Sequence, residues 1–337
     1  MSNDIDKSLA MFLKRCGVSM PLEVESVRAG RNSEVLKLSN DDGQWILKNY
    51  YRHPGDSRDR VGTEFGFLEF LRDVGFGDRV PRPLGVERDF PRALYSFLSG
   101  KRLKEITAAH VSQAANFVLD VNQSRTSAGA KDLPAAADAC FSLQDHLELA
   151  ERRVGQLMNM TPESELEVAV HAFVGEQLQP CCLHLSERLR QDFGSVQRET
   201  PLAKEVKILS PSDFGFHNTL ECNGELSFVD FEYAGWDDPA KLVCDFLCQP
   251  EMPVSDGLGR QFMNEVLPGL PQPSEVGNRV AYLLPFHRLK WCCILLNEFR
   301  EEGRQRRLHA GVELSGLLAA QFGKAKRYYD MHLALLN

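Results

Sequence analysis

Apolar and polar positions change rhythm once along the chain. From about residue 20 to 100 the apolar positions alternate with polar ones in short runs, the pattern of half-buried strands. Val24 to Val27, Glu34 to Leu38 and Gln44 to Lys48 read as three strands. Asn40-Asp41-Asp42-Gly43 reads as the hairpin turn between the last two, because Asn, Asp and Gly tolerate positive φ. The period then lengthens over Asp59 to Val74, where Phe65, Leu68, Phe70 and Leu71 form a helical stripe. Pro81-Arg82-Pro83 opens another extended piece, and Arg92 to Leu98 reads as a strand ending at Ser99-Gly100.

Beyond Gly100 the spacing is helical. Leu103 to Arg125, Ala139 to Met158, Glu163 to Asp192 and most of the chain after Pro239 carry apolar stripes with charged outer faces. One stretch breaks this texture: from Lys207 to about Phe231 two strand-like runs flank a loop. The expected layout is a β-rich N-terminal lobe over residues 1–98, with a short helical start. A helical C-terminal lobe follows over 99–337 and carries a hairpin at about 207–233.

Composition narrows the class without naming it. The 43% hydrophobic and 26% charged residues are globular proportions and exclude a mainly disordered chain. A net charge of −8 argues against a nucleic-acid or anionic-membrane partner, since either wants a broad positive field. There is no basic leader followed by an apolar core, and no uncharged run of about 18 apolar residues. The expectation is a soluble, cytoplasmic protein. Nine cysteines, including the vicinal pairs Cys181-Cys182 and Cys292-Cys293, lack any C-x-x-C spacing and read as buried reduced thiols.

The chemistry concentrates in the interrupting stretch. Ile208-Leu209-Ser210-Pro211-Ser212-Asp213-Phe214-Gly215-Phe216-His217-Asn218 holds an Asp and an Asn five apart in a loop. Leu226-Ser227-Phe228-Val229-Asp230 then places a second acid at the end of a β run, with Glu221-Cys222-Asn223-Gly224-Glu225 supplying the hairpin turn between. A hairpin would set Asn218 beside Asp230, and the two offer hard oxygen ligands to Mg²⁺. Asp213 could accept a proton from a hydroxyl.

D-x-x-x-x-N, then Val229-Asp230-Phe231-Glu232-Tyr233-Ala234-Gly235 and Asp237-Asp238-Pro239-Ala240, resembles the aminoglycoside phosphotransferases, choline kinases and related small-molecule kinases. The resemblance implies an α+β, protein-kinase-like two-lobe fold, with Asp213 as catalytic base and Asn218 and Asp230 as Mg²⁺ ligands. In the N-terminal half it implies that Lys48 orients the nucleotide phosphates and that Glu64 holds that lysine. It also implies that Gly30 and Ser33 cover the phosphates, and that Ser96 and Leu98 receive adenine. The expected activity is ATP-dependent transfer of a phosphoryl group to the hydroxyl of an amino sugar, sugar or amino alcohol. The alternative is a nucleotide-binding regulatory pseudokinase, motivated by Pro211 where many relatives carry His; Ser212 likewise stands in place of the usual Gly.

Several features have plainer readings. Asp213-Phe214-Gly215 spells the metal-binding triplet of protein kinases, but no D-x-x-x-x-N precedes it, so the match is coincidental. Asp245 reads as a brace for the catalytic loop and Trp291 as core. Asp238 before Pro239 reads as well as a helix cap as it does as a contact to a cationic acceptor. Arg304, Arg306 and Arg307, beside Glu301 and Glu302, read as a solvated helix end. Neither acceptor identity nor oligomeric state is legible.

Overall fold

The computed structural model describes residues 7–27, 33–52, 56, 58–311, 314 and 316–336. Gly30 lies outside them. Helix α1 (Lys7–Arg15) leads into β1 (Glu23–Ser26), β2 (Ser33–Asn40) and β3 (Gly43–Tyr50). Helix α2 (Arg60–Asp73) follows, then β4 (Pro83–Glu87) and β5 (Arg92–Ser96). The five strands form one antiparallel sheet in the order β1-β2-β3-β5-β4.

The two faces of this sheet are covered differently, as period-two alternation requires. Leu36, Leu38, Leu47 and Leu94 pack with Phe12 and Leu13 of α1 into a small core. Tyr50, Ala93 and Tyr95 face the other way and join α2 and the helical half in one large core. The hairpin between β2 and β3 forms at the expected residues for a different reason. No described residue from Asn40 to Gly43 has positive φ. Instead the Asn40 side-chain oxygen accepts from the backbone N–H groups of Asp42 (2.8 Å) and Gly43 (3.1 Å), an Asx turn.

The α2 stripe also differs in register. Its buried face is Val61, Glu64, Phe67, Leu68, Phe70 and Leu71, with Phe65 only partly covered. An acid therefore sits on the inward side of this helix.

The remainder is helical around one β interruption: α3 (Ala108–Gln123), α4 (Ala128–Lys131), α5 (Leu143–Met158), α6 (Glu165–Phe173), α7 (Gln179–Asp192) and α8 (Ser195–Glu199). Then come β6 (Ile208–Ser210), β7 (Thr219–Cys222), β8 (Glu225–Phe228) and β9 (Gly235–Asp237). Last are α9 (Pro239–Cys248), α10 (Asp256–Val266), α11 (Pro273–Leu295), α12 (Glu301–His309) and α13 (Leu317–His332). The long helix expected over Glu163 to Asp192 is broken by a π-helical segment, Val174–Leu178. Among the described residues no helix is long and apolar enough to cross a membrane. All nine cysteines are free; seven are buried, while Cys16 is half-buried and Cys222 exposed.

Candidate active site

The loop bearing Asp213 is held from below. Asn122 of α3 donates to the Leu209 carbonyl and accepts from the Leu209 N–H, both at 2.9 Å, so its amide completes the edge of β6. β6 pairs antiparallel with β9, Ser210 opposite Gly235. Phe214, next to Asp213, stacks with Phe117 of α3 (5.9 Å between centroids) and Phe228 of β8 (5.4 Å). Phe231, next to Asp230, stacks on Phe67 of α2 at 5.5 Å. Each acid thus borders an aromatic anchored in the core, which fixes where its backbone can go.

β7 and β8 form the expected hairpin, Thr219 opposite Phe228 through Cys222 opposite Glu225. Asn223 and Gly224 both have positive φ, the turn geometry that matches strand twist. The Val229 N–H donates to the Asn218 carbonyl at 3.0 Å, extending the pairing by one step and bringing Asp230 alongside. Ser212 and Asp230 themselves adopt left-handed φ values of 67° and 72°. Strain of this kind in non-glycine residues is held only where surrounding structure over-determines it.

From the opposite side, β3 and α2 supply a buried ion-pair cluster. Lys48 Nζ lies 2.6 Å from Glu64 Oε2 and 2.8 Å from Asp230 Oδ1. Burial opposes the Lys48 ammonium, but the carboxylates of Asp230, Glu64 and Glu232 outweigh it and raise its pKa well above the usual lysine value. Glu64 does more than hold the lysine. Its Oε2 also accepts from the Tyr50 hydroxyl (2.6 Å), which meets the Tyr95 hydroxyl at 2.7 Å, and its Oε1 accepts from the Phe231 N–H at 3.3 Å. Tyr50 escaped the sequence reading, although it lies two residues beyond Lys48 on the same face of β3 and so carried the period-two signal.

Asp213, Asn218 and Asp230 all line a cleft of about 930 Å³. Asn218 donates its side-chain N–H to the Asp213 carbonyl at 3.0 Å. His217 Nε2 stands 3.3 Å from Asp213 Oδ1. Burial alone would raise the Asp213 pKa; His217 outweighs it, and the carboxyl lies below its ordinary range. Ser33 opens β2, and its hydroxyl reaches toward Glu232 at 3.4 Å.

The expected adenine contacts are less well placed. The Ser96 N–H already donates to the Arg82 carbonyl at 2.9 Å, and its hydroxyl accepts from the Arg82 N–H at 2.8 Å. Ser96 is also paired opposite Trp45 in the sheet. Its backbone N–H is therefore spent on the fold, which leaves its carbonyl and the backbone of Leu98, just past β5, as the candidate contacts.

The floor of the cleft is a buried polar network. Asp245 of α9 takes Lys241 (3.1 Å), His287 Nδ1 (3.1 Å), the Trp291 indole N–H (2.9 Å) and Lys290. Trp291 is thus both core and hydrogen-bond donor. His287 Nε2 meets His146 Nδ1 at 3.0 Å, and His146 Nε2 meets Asp238 at 3.0 Å. Asp238 also caps α9, accepting from the Ala240 N–H at 2.8 Å with Pro239 at the first helical position. It is fully buried, so the cap reading holds and contact with an acceptor does not.

The fold that brings an α2 carboxylate and a β3 lysine above a D-x-x-x-x-N loop and a hairpin acid is shared with solved proteins. The chain has the fold of the choline kinases and aminoglycoside phosphotransferases. A choline kinase from Cryptosporidium parvum is 14% identical with a TM-score of 0.55, over 99% of this chain and 94% of that one. The spectinomycin phosphotransferase APH(9)-Ia, solved with ADP and spectinomycin, is 12% identical with a TM-score of 0.62, over 94% and 98%. Plasmodium vivax ethanolamine kinase is 12% identical with a TM-score of 0.61, over 97% and 89%. No family profile matches the sequence, and no curated protein does. The small-molecule kinase fold is therefore carried by three-dimensional likeness, at identities where sequence comparison is silent.

Proposed function

We propose that this protein is an ATP-dependent phosphotransferase that moves a phosphoryl group to a hydroxyl of a small molecule. The observation that carries this reading is the Lys48 ammonium held between Glu64 and Asp230 at the edge of a cleft that also contains Asp213 and Asn218. The kinase fold, and a like-folded spectinomycin phosphotransferase bound to ADP, support it.

The donor set suits magnesium. Asp230 and Asn218 offer hard oxygens on the cleft, and two protein ligands are what Mg²⁺ takes when phosphates and water complete its shell. Bound there, the ion would neutralise charge on the phosphate oxygens. Lys48, kept protonated by its acids, would orient the phosphates. Asp213, ionised at neutral pH, would accept a hydrogen bond from the acceptor hydroxyl, orient its oxygen and take its proton. His217 would hold the Asp213 carboxylate in register. Transfer through a loose transition state asks little covalent chemistry of the protein, so positioning carries most of the rate.

The test is ATP consumption across amino sugars, sugars, amino alcohols and hydroxy acids, with Asp213→Asn as control. That variant should lose about 10²- to 10⁴-fold in turnover while keeping nucleotide affinity. Nucleotide binding without turnover on any acceptor would instead identify a regulatory pseudokinase.

A further inference from the structure

The cleft is rich in arginine, and among the described residues four of these side chains have three carboxylates between them within ion-pair distance, Asp56, Asp138 and Glu302. Arg58, Arg153, Arg300 and Arg306 all line it. Their acids are few and shared. Glu302 stands 3.5 Å from Arg300 and 3.6 Å from Arg58, so one carboxylate serves two guanidiniums at long range. Asp138 serves both Arg153 and Arg152, and Asp56 both Arg58 and Arg60. Among the described residues Arg306 has no acid within ion-pair distance, and its Nε is buried without a hydrogen-bond partner. The Nε of Arg153 is buried and unpartnered as well. A buried donor without an acceptor costs free energy unless something else supplies one.

The cluster is built by the fold. Arg300 and Arg306 enter on the segment that becomes α12. That helix can lie against the Asn297 carbonyl only because position 303 is Gly, since a Cβ there would collide with that oxygen. His309 at the end of α12 reaches the Asn49 carbonyl of β3 at 3.2 Å and packs on Tyr51, so the helix spans from the C-terminal half to the sheet. Burial depresses the Arg300 pKa, and the like charges of Arg153, Arg306 and Arg58 add to it against the pull of Glu302. A cationic acceptor would meet repulsion here, whereas a carboxylate or phosphate would satisfy guanidinium forks in pairs.

We propose that the acceptor is an anionic hydroxyl compound whose carboxylate or phosphate group is held by Arg300 and Arg306, with Arg58 and Arg153 beside them. This inference rests on the phosphotransferase reading for its chemistry, but the anion site can be tested apart from it.

The experiment is calorimetry in saturating MgADP, which fills the nucleotide's own phosphate contacts. Four small probes are used: glycerol 3-phosphate, glycerate, glycerol and choline. Binding of at least one of the two anions, weakened about 10- to 100-fold in Arg306→Met, supports the site. Arg300→Lys, which keeps charge but not the fork, should weaken it as well. Binding of choline or glycerol in preference to both anions, or anion binding untouched by Arg306→Met, overturns it. Anion binding to the ADP-free protein that disappears when MgADP is added also overturns it, because the arginines would then belong to the nucleotide site. A parallel ATP-consumption assay separates the two readings. Turnover of cationic acceptors alone sinks the anion site and keeps the kinase. Arg306-dependent anion binding with no turnover on any acceptor does the reverse.

Discussion

Lys48 Nζ lies 2.6 Å from Glu64 Oε2, and both side chains are almost wholly shielded from solvent. Removing Glu64 leaves Lys48 with Asp230 but takes an acceptor from the Tyr50 hydroxyl and from the Phe231 N–H, at about 1 to 3 kcal/mol for each buried group left unpaired. Glu64→Ala should therefore lower the urea midpoint markedly. Glu64→Gln keeps the shape and a side-chain oxygen for Tyr50, and should cost less stability while still losing turnover. Equal denaturation midpoints for wild type and Glu64→Ala would refute the cluster as drawn.

His217 holds the Asp213 carboxyl below its ordinary range against the pull of burial. In His217→Gln burial is left less opposed, and the Asp213 pKa should rise. The acidic limb of the kcat/KM profile should then move to higher pH, with the loss of rate largest in acid. A uniform loss at all pH values would mean that His217 acts on something other than Asp213.

Ser212 has a φ of 67°, a region that glycine occupies without steric cost. Ser212→Gly should stabilise the protein by about 1 kcal/mol once the greater unfolded-state freedom of glycine is deducted. Thermal denaturation reads this directly. The same exchange at Asp230, whose φ of 72° is comparable, should abolish turnover, because there the side chain is the proposed metal ligand.

Burial drives the His287 pKa from 6.5 to about 3; Lys290 and His146 push the same way and Asp245 opposes. As pH falls below 6.5, the unfolded chain binds a proton that the folded chain refuses until about pH 3. Stability is therefore full above pH 6.5 and is lost progressively between 6.5 and 3. Asp238, held at about 2 by His146 and Arg279 against its own burial, adds a further loss below pH 3.8. Urea midpoints at pH 7, 5.5 and 4.5 should fall steadily. His287→Gln should lower the pH 7 value and flatten the slope. A wild-type midpoint that is the same at pH 7 and 4.5 would contradict the network.

The site's skeleton was readable because its parts are local in sequence. Asp213 and Asn218 share one loop, and the Asn223-Gly224 turn sets the register that brings Asp230 beside Asn218. Lys48 and Glu64 were placed by resemblance. The structure adds that Glu64 interrupts the apolar stripe Val61–Leu68–Leu71, a signal that was present in the sequence unused. Whether the Ser96 N–H is free to meet adenine depends on the partner strand and on Arg82, neither of which a strand's own sequence reveals.

Alternation, turn chemistry and motif spacing by themselves determined a β-rich half, a helical half and a hairpin carrying Asn218 and Asp230, since each depends on residues a few positions apart. Only the tertiary structure decided which charges face the cleft. Arg306 and Arg307 read as a solvated helix end, yet Arg307 is buried against Glu298 and Arg306 lines the cavity. A helix charged on every side has no stripe to say which face is inward. That choice was made by long-range contacts of α12, such as His309 on the Asn49 carbonyl and on the Tyr51 ring, which no pattern along the chain records.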